Sequence, residues 1–376
     1  MRNDILLMSA VGLVGTNSMA LAPISGTVGA DLGRTATQIM GASAAFGLAT
    51  AVAALALAPL IDRFGAARMA TVALMTLGCG LAASGLAPSF TWLLFGQVLA
   101  GLASGVALPA AYALASEIAP PGREAATLGR VLTGWTIAMV CGVTLSAVLA
   151  DQVHWRMIYG LTTVVSVALS WWMMQLPNRG GGTVSPPWTA LTCPGVLSGL
   201  IAQGVLMTSF YGTYSFLGAH GEAQGWTTTQ GALPVLAYGI GFGASGLFDP
   251  WLDRRGYGGA GPWVFAGSAL ALAGISLTGS SLVALSLAFL AWGVITHLAL
   301  GLTVGRLTRA AGSQKGAVLG LNSAVTYLGV VGGAAGFAPV FTWGGLATCA
   351  MIAGGGSAVL WAEALSYRLR SPAAQS

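Results

Sequence analysis

The chain has 376 residues, 55% of them hydrophobic and 7% charged, with a mean hydropathy of +0.79. Soluble domains carry roughly 25% charged residues, so too little charge remains here to cover a water-facing globule, and the even spread of apolar residues excludes a soluble domain with one anchor. A net charge of +5 could suit a nucleic-acid partner, but such binders gather Lys and Arg on one face or in one run, whereas these cations are scattered singly.

A helix crosses roughly 30 Å of hydrocarbon with about 20 residues. In chain order the predicted spans are 5–28, 39–60, 69–87, 91–115, 127–150, 157–176, 195–217, 232–248, 262–278, 282–304, 317–338 and 344–365. The first follows Arg2 and contains Ala20-Leu21-Ala22, a spelling that mimics a secretory signal. Comparable runs recur to the end of the chain, so it reads as a span. All the runs are continuously apolar, which argues for helices over the alternating strands of a barrel. Gly101 with Gly105 and Gly332 with Gly336 are small-residue pairs that let helix backbones approach closely.

Between the sixth and seventh spans lies the longest interruption, with Arg179-Gly180-Gly181-Gly182 and Ser185-Pro186-Pro187. It reads as a cytoplasmic linker, 178–194, between six-helix domains at 1–177 and 195–376. The two echo each other: Asp62-Arg63-Phe64-Gly65 follows the second span of one, and Asp253-Arg254-Arg255-Gly256 the second span of the other. With both termini in the cytoplasm, Arg2, Arg63, Arg68, Arg123, Arg130, Arg179, Arg254, Arg255, Arg306, Arg309, Lys315, Arg368 and Arg370 fall on the cytoplasmic side, and only Arg34 and Arg156 fall opposite. The positive-inside rule therefore supports that orientation and an even number of spans. Cys79, Cys141, Cys193 and Cys349 are far apart and in no CxxC spacing, so they read as apolar fillers and not as a metal or redox site.

Leu60-Ile61-Asp62-Arg63-Phe64-Gly65 resembles the signature of the major facilitator superfamily between its second and third spans. Pro120-Pro121-Gly122-Arg123 after the fourth span and Trp155-Arg156 before the sixth extend the resemblance over essentially the whole chain, toward the drug:proton antiporter and arabinose-efflux-like branch. The fold it implies is all-α and integral to the membrane: twelve transmembrane helices in two pseudo-symmetric six-helix bundles around a cavity that opens alternately to each side. The sequence also departs from the pattern. Ala58 stands in place of the first signature glycine and Ala66 and Ala67 in place of a later basic pair; Gln97 occupies the place of an arginine in span four, and Gly142-Val143-Thr144 that of a glycine followed by proline in span five.

Candidate functional residues follow from these placements. Asp62, Arg63, Gly65, Arg68, Glu117 and Arg123, with Asp253, Arg254 and Gly256 in the second copy, lie at one rim, where a charge cluster could latch an inner gate. The bland reading is solvated loop charge. Inside the predicted spans no Lys, Asp or Glu reaches midplane depth, and His297 is the one plausible titratable group, a candidate for substrate or proton binding. Thr16, Asn17 and Gln97, with Gln203, Tyr211, Tyr214, Asn322 and Tyr327, supply polar groups at membrane depth. There they serve either as cavity lining or as interhelical glue. Trp135, Tyr238 and Trp292 could stack on a ligand or simply pack.

The spelling Gly241-Phe242-Gly243-Ala244-Ser245-Gly246 matches a dinucleotide fingerprint, but that site needs a strand, a turn and a helix N-terminus, and this copy sits inside a span. No Walker lysine pattern appears. The expectation is a monomeric secondary transporter of the bacterial inner membrane, without a cofactor, moving a small neutral or weakly charged solute. Proton-coupled export leads, and a proton-independent facilitator or uptake permease is the alternative. An integral membrane enzyme or lipid-handling protein would need a nucleophile and base, paired carboxylates or a metal set, for which ten acidic residues, mostly in predicted loops, give little material. A pigment receptor would need a buried lysine, and the sole lysine, Lys315, lies in a loop.

Overall fold

The structure, a computed structural model, describes residues 2–120, 124–178, 180–181, 186–311 and 314–370. In chain order its helices are α1 (Arg2–Leu32), α2 (Ala36–Ala56), α3 (Leu60–Phe64), α4 (Ala66–Gly85), α5 (Phe90–Ile118), α6 (Glu124–Ile137), α7 (Thr144–Gln152) and α8 (Arg156–Met173). They continue with α9 (Val196–Tyr214), α10 (Leu217–Ala223), α11 (Thr228–Gly231), α12 (Leu233–Ala244), α13 (Asp249–Leu277), α14 (Leu282–Ala310), α15 (Lys315–Val331) and α16 (Ala338–Arg370). Two 3₁₀ turns (Pro187–Thr192 and Ser245–Phe248) and two π segments (Ala138–Val143 and Gly332–Gly336) punctuate them, and no strand occurs among the described residues.

Among the described residues, ten helical stretches are long and apolar enough to cross a bilayer. One of them, Thr228–Leu277, has 50 residues, too many for a single crossing. It is broken at Ser245–Phe248 and again at Gly256, whose φ of 58° and ψ of −172° leave the helix. Taking its two arms separately and adding the 18-residue α8 is consistent with the twelve spans expected. The predicted fifth span, written as one helix, instead contains the π segment at Ala138–Val143, where Gly142 lies against the Thr16 side chain with no room for a Cβ.

Local chemistry explains where the helices start, and the starts repeat. Gly33 and Gly225 both have positive φ, and each is followed by a capping box, Thr35 with Gln38 and Thr227 with Gln230. In each box the Thr hydroxyl and the Gln side chain satisfy backbone N–H groups that the first helical turn leaves free. Ser89 and Ser281 cap α5 and α14 with their hydroxyls alone, accepting from the N–H groups of Trp92 and Ala284. These pairs share one offset of 192 residues (Thr35 to Thr227, Ser89 to Ser281), a repeat wider than the two charged motifs alone. Packing repeats too: Gly47 of α2 meets Val330 of α15, and Gly239 of α12 meets Val140 of the first π segment.

Within the first half, α2 and α4 pack on α5, α4 on α8 and α1 on α6; within the second, α12 and α13 pack on α14, α13 on α16 and α15 on α9. Across the halves α2 meets α15, α12 meets the Ala138–Val143 segment and α1 meets α10. Large side chains such as Phe95, Trp171, Trp263 and Trp343 are exposed on the outside, as a surface solvated by acyl chains requires. Asn178 and residues 180–181 touch the α3–α4 turn, while Pro187 approaches Gly320 at the start of α15. These contacts define a linker face; Asp31, Gly33, Gly225 and Gly279 mark the opposite face.

Candidate functional site

At the centre of the first half, α1 and α5 bring buried amides together. Gln97 Nε2 donates to Ser84 Oγ at 3.1 Å, and the Asn17 and Gln97 amides face each other at 3.4 and 3.5 Å. Thr16 is turned back on its own helix, donating to the Gly12 carbonyl at 2.9 Å. Trp135 does not stand free: its Nε1 donates to the Tyr112 hydroxyl at 3.3 Å, and its ring lies against Gly15.

In the second half, Gln203 of α9 is saturated from both sides, accepting from Thr303 of α14 at 2.9 Å and donating to Thr326 of α15 at 3.0 Å. Tyr238 and Trp292 belong to one aromatic cluster with Phe210, Phe289 and Tyr214, at ring-centroid distances of 5.3–5.4 Å around Phe210. All five are buried. The rings thus occupy one another's faces, an arrangement worth about 0.5–1.5 kcal/mol per pair beyond burial. Tyr327 is set edge-on to Phe46 of α2 at 5.9 Å. Its hydroxyl and Asn322 Oδ1 are buried without a hydrogen-bond partner among the described residues. A buried polar atom left without a partner costs about 1–3 kcal/mol, and Thr213 Oγ1 and Ser215 Oγ in the same half are buried in the same way.

Hydrogen bonds between the halves have a definite distribution among the described residues. Ser18 and Tyr211 share one at 3.2 Å, and Tyr214 Oη donates to the Met19 carbonyl at 3.0 Å, both near the middle of α1. Thr27 and Thr228 share another at 2.8 Å, and the Thr229 N–H donates to Asp151 Oδ2 at 3.4 Å, both toward the opposite face.

The predicted gate residues lie at the linker face. Asp62, Arg63 and Arg68 are exposed, and no ion pair between described residues reaches them. Their loop is secured through its backbone: Asn178 accepts from the Arg68 N–H at 3.0 Å and donates to the Phe64 carbonyl at 2.9 Å, and the Gly181 N–H donates to the Arg63 carbonyl at 3.1 Å. Gly65 supplies the turn with φ 88°, a region costly for residues with a Cβ. In the second copy Arg254 Nε donates to the Pro250 carbonyl at 3.0 Å, Asp253 is exposed and Gly256 makes the bend. Glu117 lies in the last turn of α5; Arg123 falls outside the described residues.

His297 has a partner that the sequence reading missed. Its Nε2 lies 3.0 Å from Oδ1 of Asp249, which opens α13, and Phe242 packs edge-on against the imidazole at 4.9 Å. Asp249 stood one residue beyond the predicted eighth span, so its approach to α14 was not visible. A second cluster was also missed. Arg306 of α14 donates to Glu363 of α16 at 2.8 Å and to Ser198 of α9 at 2.9 Å, lies over the rings of Tyr257 and Tyr367, and shares Glu363 with the Tyr257 hydroxyl. A lone acidic residue inside the last apolar run was the available signal. On the opposite face Asp31 accepts from Trp155 Nε1 at 3.0 Å and pairs with Arg156, which also donates to the Ala87 carbonyl at 2.8 Å.

Neutral amides, hydroxyls and aromatic edges therefore dominate the centre, and no group of three or more His, Cys, Asp or Glu able to hold a metal occurs among the described residues. Residues 7–334 match the Major Facilitator Superfamily. The chain belongs to this superfamily. Relatives include the "Uncharacterized MFS-type transporter YwfA" of Bacillus subtilis, 26% identical over 320 residues that cover 82% of this chain and 77% of that protein. A second B. subtilis relative, the "Uncharacterized MFS-type transporter YfhI", is 27% identical over 49% of this chain and 43% of its own length. The "Inner membrane transport protein YdhP" of Escherichia coli is 26% identical over 39% of this chain and 38% of its own length. Membership makes this major facilitator chain an all-α integral membrane transporter of small solutes, and the repeat at an offset of 192 residues is the sequence trace of the superfamily's paired helices.

Proposed function

We propose that this major facilitator protein moves a small, neutral or weakly charged organic solute by alternating access, with residues 1–177 and 195–376 rocking as two bundles joined by the 178–194 linker. The unpartnered Tyr327 hydroxyl and Asn322 Oδ1 at the centre carry this reading. They offer one donor and two acceptor sites to a hydroxyl or amide of the guest, and the surrounding amides and rings bear no fixed charge that would select an ion. The interhalf hydrogen bonds at the centre and toward the opposite face support a conformer closed on that side. The preponderance of cations on the linker face supports a cytoplasmic position for that face and for both termini. The E. coli relative is described as an inner membrane transport protein, which supports the same membrane for this chain; our reading takes it to act as a monomer.

In this scheme Asp62, Arg63 and Arg68 engage when the linker face closes, at the rim that the resemblance also assigns to Glu117 and Arg123, and Asn178 holds the Asp62–Arg68 loop in register meanwhile. Outward movement of the solute leads. A gradient-independent facilitator is the second reading, favoured by Gln97, a neutral amide bonded to Ser84.

Counterflow in proteoliposomes tests the reading, with arabinose and chloramphenicol as neutral probes of sugar-like and amphipathic character. One of them should exchange, and Tyr327→Phe should raise its KM about tenfold, the worth of one buried hydrogen bond. Exchange of neither probe, or an unchanged KM in Tyr327→Phe, would count against this cavity.

A further inference from the structure

The internal repeat sets each helix crossing of the first half beside a twin in the second, and one pair of twins differs in a way that packing does not require. In the first half α5 lies on α2 through Gly101 and Gly105: a Cβ on either would overlap a backbone carbonyl, that of Phe46 or of Thr50. At the offset of 192 residues Gly101 corresponds to Gly293, which lies against the carbonyl of Tyr238, the twin of Phe46. The next step of the crossing breaks the match, because the twin of Gly105 is His297. A side chain there cannot repeat the backbone approach. Correspondingly α12 stops at Ala244, where α2 runs on to Ala56, and a 3₁₀ turn delivers Asp249 to within 3.0 Å of His297 Nε2. Asp249 falls level with the apolar Leu57 and Ala58 of the first half.

We propose that His297 and Asp249 form a proton-binding site whose occupancy governs the break between α12 and α13; this rests on the transport reading above. The first half shows that the crossing can be built from glycine alone, so two titratable side chains here are surplus to architecture, and polar groups at membrane depth carry a cost that function must justify. The pair is not sealed in the packed core: 26% of the His297 and 51% of the Asp249 side chain is exposed. With Nε2–H donating to the carboxylate, Nδ1 keeps a lone pair. A proton from water adds there, the imidazole becomes an imidazolium, and the net charge of the pair goes from −1 to 0; release reverses each change. An uncharged pair can be withdrawn from water when the cavity closes around it, whereas the anionic pair needs hydration. Closing toward the linker face therefore favours the protonated pair.

No other described titratable group is bonded to this pair. On α12, Tyr238 is buried in the aromatic cluster. On α13, Asp253 is exposed, Arg254 is tied to the Pro250 carbonyl, Arg255 lies over Trp251 and Tyr257 is bonded to Glu363. On α9, Tyr211 and Tyr214 bond to Ser18 and Met19; on α14 itself Arg306 is paired with Glu363 and Arg309 is exposed near the far end. Tyr327 of α15 faces Phe46, and Arg130 of α6, which packs on α12, is paired with Asp4.

Two measurements on the full chain decide the proposal, using His297→Gln, which keeps a donor but cannot take the proton, and Asp249→Asn, which keeps an acceptor. Hydrogen exchange of residues 245–256, corrected for intrinsic rates, requires no solute. Wild type should show at least about threefold different protection between pH 5.5 and 8, and both variants should show none; equal protection in wild type, or pH dependence kept by both variants, overturns the site. In proteoliposomes, exchange of one proton for one solute across one pH unit permits about tenfold accumulation. Wild type should approach that ratio with whichever neutral probe it exchanges, while both variants equilibrate near unity. A wild-type flux indifferent to the gradient overturns the proton site and leaves the transport reading standing. Absence of any flux counts against the transport reading, and the exchange measurement still decides the site.

Discussion

The α2–α5 and α12–α14 crossings begin alike and end differently. Both are seated by a glycine on the opposing carbonyl, Gly101 on Phe46 and Gly293 on Tyr238. One turn later the first half repeats the contact with Gly105, and α2 stays straight; the second half inserts His297, and the facing helix gives way to a 3₁₀ turn. Backbone-on-backbone contact has no rotamers and no protonation states, so it can only be present or absent. A side-chain contact can be made, broken and titrated. The comparison assigns rigidity to one crossing and adjustability to the other, in a molecule whose two halves otherwise use the same helix caps and the same small-residue seams.

The contrast can be broken most forcefully at its rigid member. Gly105→Leu drives a side chain into the Thr50 carbonyl and should cost about 3 kcal/mol or more, at the top of the overpacking range; folded protein recovered from membranes should fall steeply, as read by fluorescence size-exclusion chromatography. Gly293→Ala meets the Tyr238 carbonyl with a single methyl, for which about 1–3 kcal/mol is expected and a lower thermal midpoint in detergent is the readout. His297→Gly makes the two crossings alike in sequence. It should cost about 2 kcal/mol, from a Gly penalty of about 1 kcal/mol and the lost edge contact with Phe242 of about 0.5–1.5 kcal/mol, and the thermal midpoint should fall less than in Gly105→Leu. A loss as large as that of Gly105→Leu would show that His297 is structural. Phe242→Leu, which removes only the edge contact to the imidazole, should be the mildest, about 0.5–1.5 kcal/mol.

Much of the fold was legible because apolar runs of membrane length report themselves, and a helix of 31 residues such as α1 cannot be mistaken for a strand. What escaped was local. The π segment at Ala138–Val143 has no compositional signature, since it arises where Gly142 seats on Thr16 of another helix. The site was half visible. Asn17, Gln97, Asn322 and Tyr327 were found as polar letters in apolar text, but which of them bond to one another depends on rotation about helix axes that hydropathy does not encode. Gln203 proved saturated by Thr303 and Thr326, while Tyr327 retained its free hydroxyl. The charged motif was read as an electrostatic element, and its loop is held by Asn178, an uncharged residue more than a hundred positions away in sequence. Asp249 lies one residue past the predicted eighth span, and span boundaries are the least certain feature of a hydropathy reading.

The cluster around Arg306 bears on how the chain comes to be assembled. Its cation is mostly buried, and the carboxylate that answers it arrives 57 residues later, on the last helix. Until α16 follows, the Arg306 guanidinium near the linker-face end of α14 has Ser198 as its hydrogen-bond partner and the Tyr257 ring against it. The second half cannot settle until α16 has been inserted, so a nascent chain stalled before Glu363 should be recognised as unfinished by the membrane's quality-control proteases, however well its earlier helices have formed.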